Sequence, residues 1–251
     1  MPSSPLTNYL LHLADNALIL GHRNSEWCGH GPILEQDIAL TNISLDLIGQ
    51  SRYLYQYAAT LLGEGATEDT LAYLRDARSF RNCLLQELPK GDWAVTVLRQ
   101  YFFSQFQIMQ YKSLQGSKDN QLAAIAEKAI KETAYHLRWS SEWVVRLGDG
   151  TNESRLRMQK AVDHLWSYTG ELFMPAEYEL TCAKSKEGVD PAAFKDGWYQ
   201  SVQAVLTEAT LQAPPMGWSQ SGGKDGMHTE HLGFILAELQ FMQRAYPGNE
   251  W

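Results

Sequence analysis

The sequence predicts an all-α fold, a four-helix bundle with additional helices. Three observations carry this. Apolar residues recur at helical spacing along most of the 251 residues, with almost no period-2 alternation. Four of the helical stretches are long, and clusters of Gly and Pro separate them. No stretch of linker composition divides the chain, so residues 1–251 read as one helical domain.

The elements follow in order. A first helix runs from about Thr7 to Arg23 and breaks at the Gly- and Pro-containing segment Glu26–Pro32. Pro32 suits the first turn of a second, long helix, about Ile33 to Leu62, which stops at Gly63-Glu64-Gly65. A third region, Glu68 to Leu88, reads as helical but bent and ends at Pro89-Lys90-Gly91. Asp92 caps a fourth helix reaching about Leu114. A fifth spans about Asn120 to Leu147, closed by Gly148-Asp149-Gly150, and a sixth covers Glu153 to Phe173, before Pro175. A seventh begins near Pro191 and stops before Pro214-Pro215; Gly217–Gly226 is a loop; a last helix runs from about His228 to Tyr246. Helices one and two, then four and five, form two long pairs with a crossover between them. That is the layout of a ferritin-like bundle.

Composition narrows the function. A net charge of −8 disfavours non-specific nucleic-acid binding, which needs basic patches. Cys28, Cys83 and Cys182 are odd in number and lie far apart, as expected of reduced cytosolic thiols. The N-terminal stretch lacks a basic segment and carries Asp15 within its apolar part, so it does not read as a signal peptide. No run of eighteen apolar residues suggests a membrane span. No phosphate-binding Gly motif follows a strand, so a nucleotide cofactor is not expected here.

Di-iron bundles take a Glu from each of two helices and Glu-x-x-His from each of the other two. The chain contains no Glu-x-x-His; Asp225 to His228, at a loop edge, has the nearest spacing. Ligand-like places remain. The second helix is apolar nearly all round, which predicts burial, yet Asn42, Asp46, Gly49 and Tyr53 share a stripe. Asp46-x-x-Gly49 reads as a ligand pair whose His is lost. Asp15 lies among apolar residues of the first helix. On the fifth, Glu132-x-x-Tyr135 puts Tyr at the His position, and His136 comes one residue late on the same face. The matching place on the fourth helix falls near Ser104 or Gln105. Asp15, Asp46, Glu132 and His136 thus form either an unusual metal site, as in an independent di-iron or mononuclear oxidase, or a buried polar network that replaced one. In the network reading the acids must be paired, with His136 as a cation beside Glu132 or with a Lys or Arg.

Other clusters have two readings each. Arg75, Arg78 and Arg81 form a positive strip, either a phosphate-binding surface or a set of ion pairs with Glu68, Asp69 and Asp76 or with a partner. His228 and His231 stand three apart at a helix start, as metal ligands or as contacts to a neighbouring loop, with Thr229 and Glu230 serving the helix N-terminus. Cys28 near His30 suggests a nucleophile pair, but no orienting acid or oxyanion hole is readable, so a packed loop is expected.

The runs EWCGHGPILEQDIALTNISLDLIGQSR (26–52) and GGKDGMHTEHLGFILAELQFMQRAYPG (222–248) resemble the C-type subunits of bacterial phenylacetyl-CoA epoxidases, also called phenylacetyl-CoA 1,2-monooxygenases. RDARSF (75–80), RQYFF (99–103) and KAIKETAYHLRW (128–139) extend the likeness over essentially the whole chain. The resemblance implies a ferritin-like fold and a cytoplasmic, structural role in aerobic phenylacetate breakdown. It implies pairing with a catalytic sister, the A-type subunit, which holds the di-iron centre within a complex using O2 and NADPH. NADPH, flavin and iron–sulphur groups then belong to a separate reductase, and no cofactor to this chain. In a complex that binds a CoA thioester, Ser79, Phe80, Arg81 and Asn82 become candidates for contact with phenylacetyl-CoA, Arg81 at the phosphates and Phe80 beside adenine or pantetheine.

Overall fold

The computed structural model describes residues 4–215 and 217–249. The helices are α1 (Pro5–Ser25), α2 (Leu34–Leu62), α3 (Glu68–Tyr73), α4 (Leu84–Glu87), α5 (Trp93–Leu114), α6 (Asn120–Gly148), α7 (Asn152–Thr169), α8 (Glu177–Ser185), α9 (Lys195–Glu208) and α10 (Glu230–Ala245). Among the described residues there is no strand. α1 packs on α2 and α5 on α6, and α2 meets α6 to join the two pairs into a ferritin-like four-helix bundle. No helix among the described residues is long and apolar enough to cross a membrane.

The helix starts follow local chemistry. The Asp92 carboxylate accepts the Val95 N–H at 3.1 Å, and Asp119 accepts that of Leu122 at 2.8 Å. Ser4 caps α1 through the Thr7 N–H, with Pro5 in the first turn, and Thr151 and Ser154 form a reciprocal box at α7. Each such cap stabilises its helix by about 1 kcal/mol.

The region from Glu68 to Leu88 differs from expectation. Only its ends, α3 and α4, are α-helical, and a single 3-10 turn, Ala77–Ser79, lies between. The reason is competition for backbone donors. The Arg81 N–H is taken by Asp15 at 2.8 Å, that of Cys83 by Asn16 Oδ1 at 2.8 Å, and that of Leu84 by Glu171 at 2.7 Å. Side chains of other elements thus replace the i to i−4 ladder, and the segment crosses α1 in extended form. α8 is an addition to the expected elements. Glu179 begins it by accepting the Ala176 N–H at 2.8 Å. α9 starts after a 3-10 turn over Pro191–Phe194, and α10 starts at Glu230 rather than His228 because Thr229 is its cap.

Burial also corrects the reading of the second helix. The helix enclosed on nearly all sides is α1, buried almost continuously from Tyr9 to Gly21 under the crossover and α8. α2 keeps a long outer face, with Leu34 72 % and Leu45 61 % exposed. Aromatic residues fill much of the core. Trp198, Phe102, Phe103 and Phe106 are buried together, and the Trp198 indole N–H donates to the Phe102 carbonyl at 2.9 Å.

The loop before α10 is pressed against the crossover. Gly226 has φ +79°, and a Cβ there would lie 2.3 Å from the Arg78 carbonyl oxygen. Gly226→Ala is therefore expected to destabilise by more than about 1 kcal/mol. The check is a lower denaturant midpoint at unchanged slope; an unchanged midpoint would mean that the loop can move aside.

Candidate functional site

The bundle interior carries a polar layer between α2, α5 and α6. Gln50 of α2 donates to Glu132 of α6 at 2.9 Å. Its carbonyl accepts from Gln107 at 3.1 Å and from the Tyr111 hydroxyl at 3.3 Å, both on α5. Thr133 of α6 donates to Gln107 at 3.4 Å. One turn along the α2–α6 seam, His136 Nε2 donates to Asp46 at 3.0 Å; its Nδ1 has no partner among the described residues.

The donors do not fit a dinuclear iron centre. Two irons need several carboxylates to neutralise them. The layer joins one carboxylate, Glu132, to two amides, a phenol and a hydroxyl. Among the described residues no three His, Cys, Asp or Glu side chains group so as to hold a metal ion. Nor does the structure unite Asp15, Asp46, Glu132 and His136, as an independent oxidase would require. Only Asp46 and His136 meet. Glu132 is bonded by Gln50, not by His136.

The helical faces explain this. On α2 the inward residues are Ile43, Leu47, Gln50 and Leu54. Asp46 and Gly49 are half-buried on the outer side, and a Cβ on Gly49 would meet no atom within 4 Å. Position 49 is therefore not an inward ligand place. Tyr135 likewise faces out, 36 % exposed. On α5, Ser104 accepts from Gln100 at 2.8 Å, and the residues that meet Gln50 are Gln107 and Tyr111, not Ser104 or Gln105. Gln100, Ser104, Gln107 and Tyr111 form a polar row at helical spacing in an apolar helix, a signal readable in the sequence.

Asp15 lies elsewhere, fully buried. Its carboxylate accepts from both terminal nitrogens of Arg75, from the Tyr55 hydroxyl and from the Arg81 N–H. The Arg75 guanidinium also packs over the Phe80 ring, 4.2 Å from its centroid, and donates to the Ser79 carbonyl at 2.9 Å. A buried ion pair thus ties α1 to the crossover.

A second buried network locks the crossover to the C-terminal part. Glu87 accepts from Asn82, His228 and both the N–H and hydroxyl of Thr229. His228 gives its other nitrogen to the Phe80 carbonyl at 2.9 Å, so both ring nitrogens donate and the ring is an imidazolium. Burial opposes that charge, but the Glu87 carboxylate and the Phe80 carbonyl outweigh it and raise the His228 pKa. Glu179 pairs with Lys224 at 2.9 Å. Glu171 has no such cation and instead accepts three backbone N–H groups, from Leu84, Gly222 and Gly223. Burial still raises its pKa. His12, buried with Nδ1 at 2.7 Å from the Arg81 carbonyl, has its pKa lowered by burial.

Arg75 pairs with Asp15, and Asp76 with Arg244, so the strip does not pair with Glu68, Asp69 and Asp76 as one reading had it. Phe80 and Asn82 are wholly buried, and Arg81 donates to the Lys224 carbonyl at 3.2 Å and lies over Tyr178. Contact of Phe80 and Asn82 with a CoA thioester does not fit this placement; of the four candidates, Ser79 alone is exposed. His228 is held by Glu87, which leaves no pair with His231 for a metal. Thr229 accepts the His231 N–H at 3.3 Å, as the N-terminal role required. His30 meets the Cys28 carbonyl at 3.1 Å rather than its thiol. The cysteines are unpaired, Cys28 exposed and Cys83 and Cys182 buried.

The C-type subunit of the 1,2-phenylacetyl-CoA epoxidase of Escherichia coli (strain K12) is 50 % identical over 246 residues, covering 98 % of this chain and 99 % of the relative. The model of the phenylacetic acid catabolic protein family matches residues 1–251. The chain belongs to the phenylacetic acid catabolic protein family.

Proposed function

We propose that this chain is a metal-free structural subunit of a multicomponent epoxidase acting on phenylacetyl-CoA. In this reading it pairs with a sister subunit that holds the di-iron centre, keeps it folded and soluble, and works in the cytoplasm. Electrons from NADPH reach the sister through a separate reductase, and this chain carries no cofactor. The identity with a subunit of such an enzyme along nearly its full length supports the assembly. The observation that carries the structural role is the interior layer. The bundle is kept, while its interior polar layer is built from Gln50, Gln107, Tyr111 and Thr133 around the single carboxylate of Glu132, too few anionic donors for two irons.

The experiment is co-expression with the sister subunit, with iron analysis of each chain and epoxidation of phenylacetyl-CoA assayed with and without this chain. Iron is expected to travel with the sister, and activity to fall sharply when this chain is omitted. Stoichiometric iron with an oxygen-bridged absorption band in the isolated chain would overturn the proposal. So would full activity of the sister alone.

A further inference from the structure

The stripe that resembles lost metal ligands in the sequence is the outer face of α2. Ile38, Leu45 and Tyr53 are 52, 61 and 43 % exposed, and Leu34 extends the row. From Leu34 to Tyr53 it runs about 28 Å at 1.5 Å per residue. Large apolar side chains at this spacing, on a chain of net charge −8, mark a surface that is covered in use. Toward its C-terminal end Gly49 leaves an open notch, since no atom lies within 4 Å of a Cβ built there. Two half-buried carboxylates lie on the α2–α6 seam beside it. Asp46 is bonded through Oδ2 by buried His136, and Glu132 through Oε2 by buried Gln50. The other oxygen of each has no polar partner among the described residues. The nearby cations are engaged elsewhere: Lys128 donates to the Tyr53 hydroxyl at 2.6 Å, Arg138 lies over Tyr135, and Arg52 meets Glu68 at 3.4 Å. The Asp46 and Glu132 carboxylates are thus held rigidly by neutral or histidine donors, without a Lys or Arg of their own chain.

We propose that the sister subunit lays a helix along this stripe, with apolar residues against Leu34, Ile38 and Leu45 and a Lys or Arg side chain entering the notch at Gly49 between Asp46 and Glu132. This rests on the pairing proposed above and adds which face pairs and what chemistry it reads. An aliphatic stem fills the cleft left by the missing Cβ, and its charged head meets two carboxylate oxygens. The outer face of α10, with Phe234 66 % and Phe241 61 % exposed, is a second apolar surface. Its Gly233 is equally open, but Asp76 and Glu26 beside it are already paired, with Arg244 at 3.1 Å and Arg23 at 2.6 Å, and it serves as the control.

The test measures binding of the full chain to the purified sister subunit. Leu45→Asp and Gly49→Phe are each expected to weaken binding at least about tenfold, the loss typical of a central contact. Both positions face open space, so circular dichroism and melting temperature should stay unchanged. Asp46→Asn with Glu132→Gln should weaken binding and flatten its dependence on salt. Phe241→Asp should leave binding intact. If the native chain fails to bind the sister at all, the structural role itself fails. If the native chain binds and the α2 variants bind equally well, or if Phe241→Asp alone abolishes binding, the face is wrong while the role stands. An unchanged salt dependence in the double variant would overturn the basic side chain.

Discussion

Arg75→Ala is expected to lower folding stability by about 3–5 kcal/mol, the cost of leaving a buried charge without its partner. Asp15 is inaccessible to solvent, and both terminal nitrogens of Arg75 reach its carboxylate. Tyr55 and the Arg81 N–H stay in place after the substitution, but neither supplies positive charge. The carbonyls of Leu71 and Ser79, which Arg75 also satisfies, lose their donor, and Phe80 loses the guanidinium packed on its ring. The damage should spread along the crossover, because its extended stretch leans on this pair. Denaturant unfolding measures the effect, and a loss below about 1 kcal/mol would mean that the site is hydrated or collapses. Asp15→Asn combined with Arg75→Met should cost less than the sum of the single changes, since no lone charge remains.

Glu87→Ala should cost a similar amount, about 3–5 kcal/mol, and act on a different part of the molecule. Glu87 is fully buried and joins α4 to the start of α10. Without it the His228 imidazolium stands alone in the interior, and the Thr229 N–H and hydroxyl and the Asn82 amide each lose an acceptor. α10 should then detach more readily than the bundle unfolds, visible as fast amide exchange over 230–245. The same pair predicts a pH dependence. The folded pKa of His228 lies above its ordinary value of about 6.5, so the native state binds the proton more tightly than the unfolded chain. That contribution is complete below the ordinary value and is lost as pH rises through the raised one. His12 and His22, whose pKa values burial lowers, act in the opposite sense at lower pH. Stability of the native chain should therefore decline as pH rises above neutrality. The decline should shrink in Glu87→Gln; an equal slope in both would remove His228 as its source.

Much of the helical order was legible locally. Asp92, Asp119 and Thr151 mark helix starts because a short polar side chain can take an orphan N–H three residues on. Gly63-Glu64-Gly65 marks an end because all three adopt positive φ. The polar row on α5 was there to be read as well, from Gln100 to Tyr111. The region from Glu68 to Leu88 was not, because its backbone donors are claimed by Asp15, Asn16 and Glu171 from elsewhere in the chain. The joining of Glu87 to His228 and of Lys224 to Glu179 has no local period either, since each pair comes from segments far apart in sequence.

Three things could be read without coordinates: a bundle of long helices, the lack of Glu-x-x-His, and the family that the longest runs resemble. The direction in which α2 faces could not, and it came from packing. The rows 42, 46, 49, 53 and 43, 47, 50, 54 differ by one residue, a rotation of about 100°. A helix apolar on every side has no moment to choose between them. Contact with α1, α5 and α6 chose the second row for the interior, with Gln50 in the polar layer. It left Asp46 and Gly49, which read as the remnants of a metal site, on the outer face.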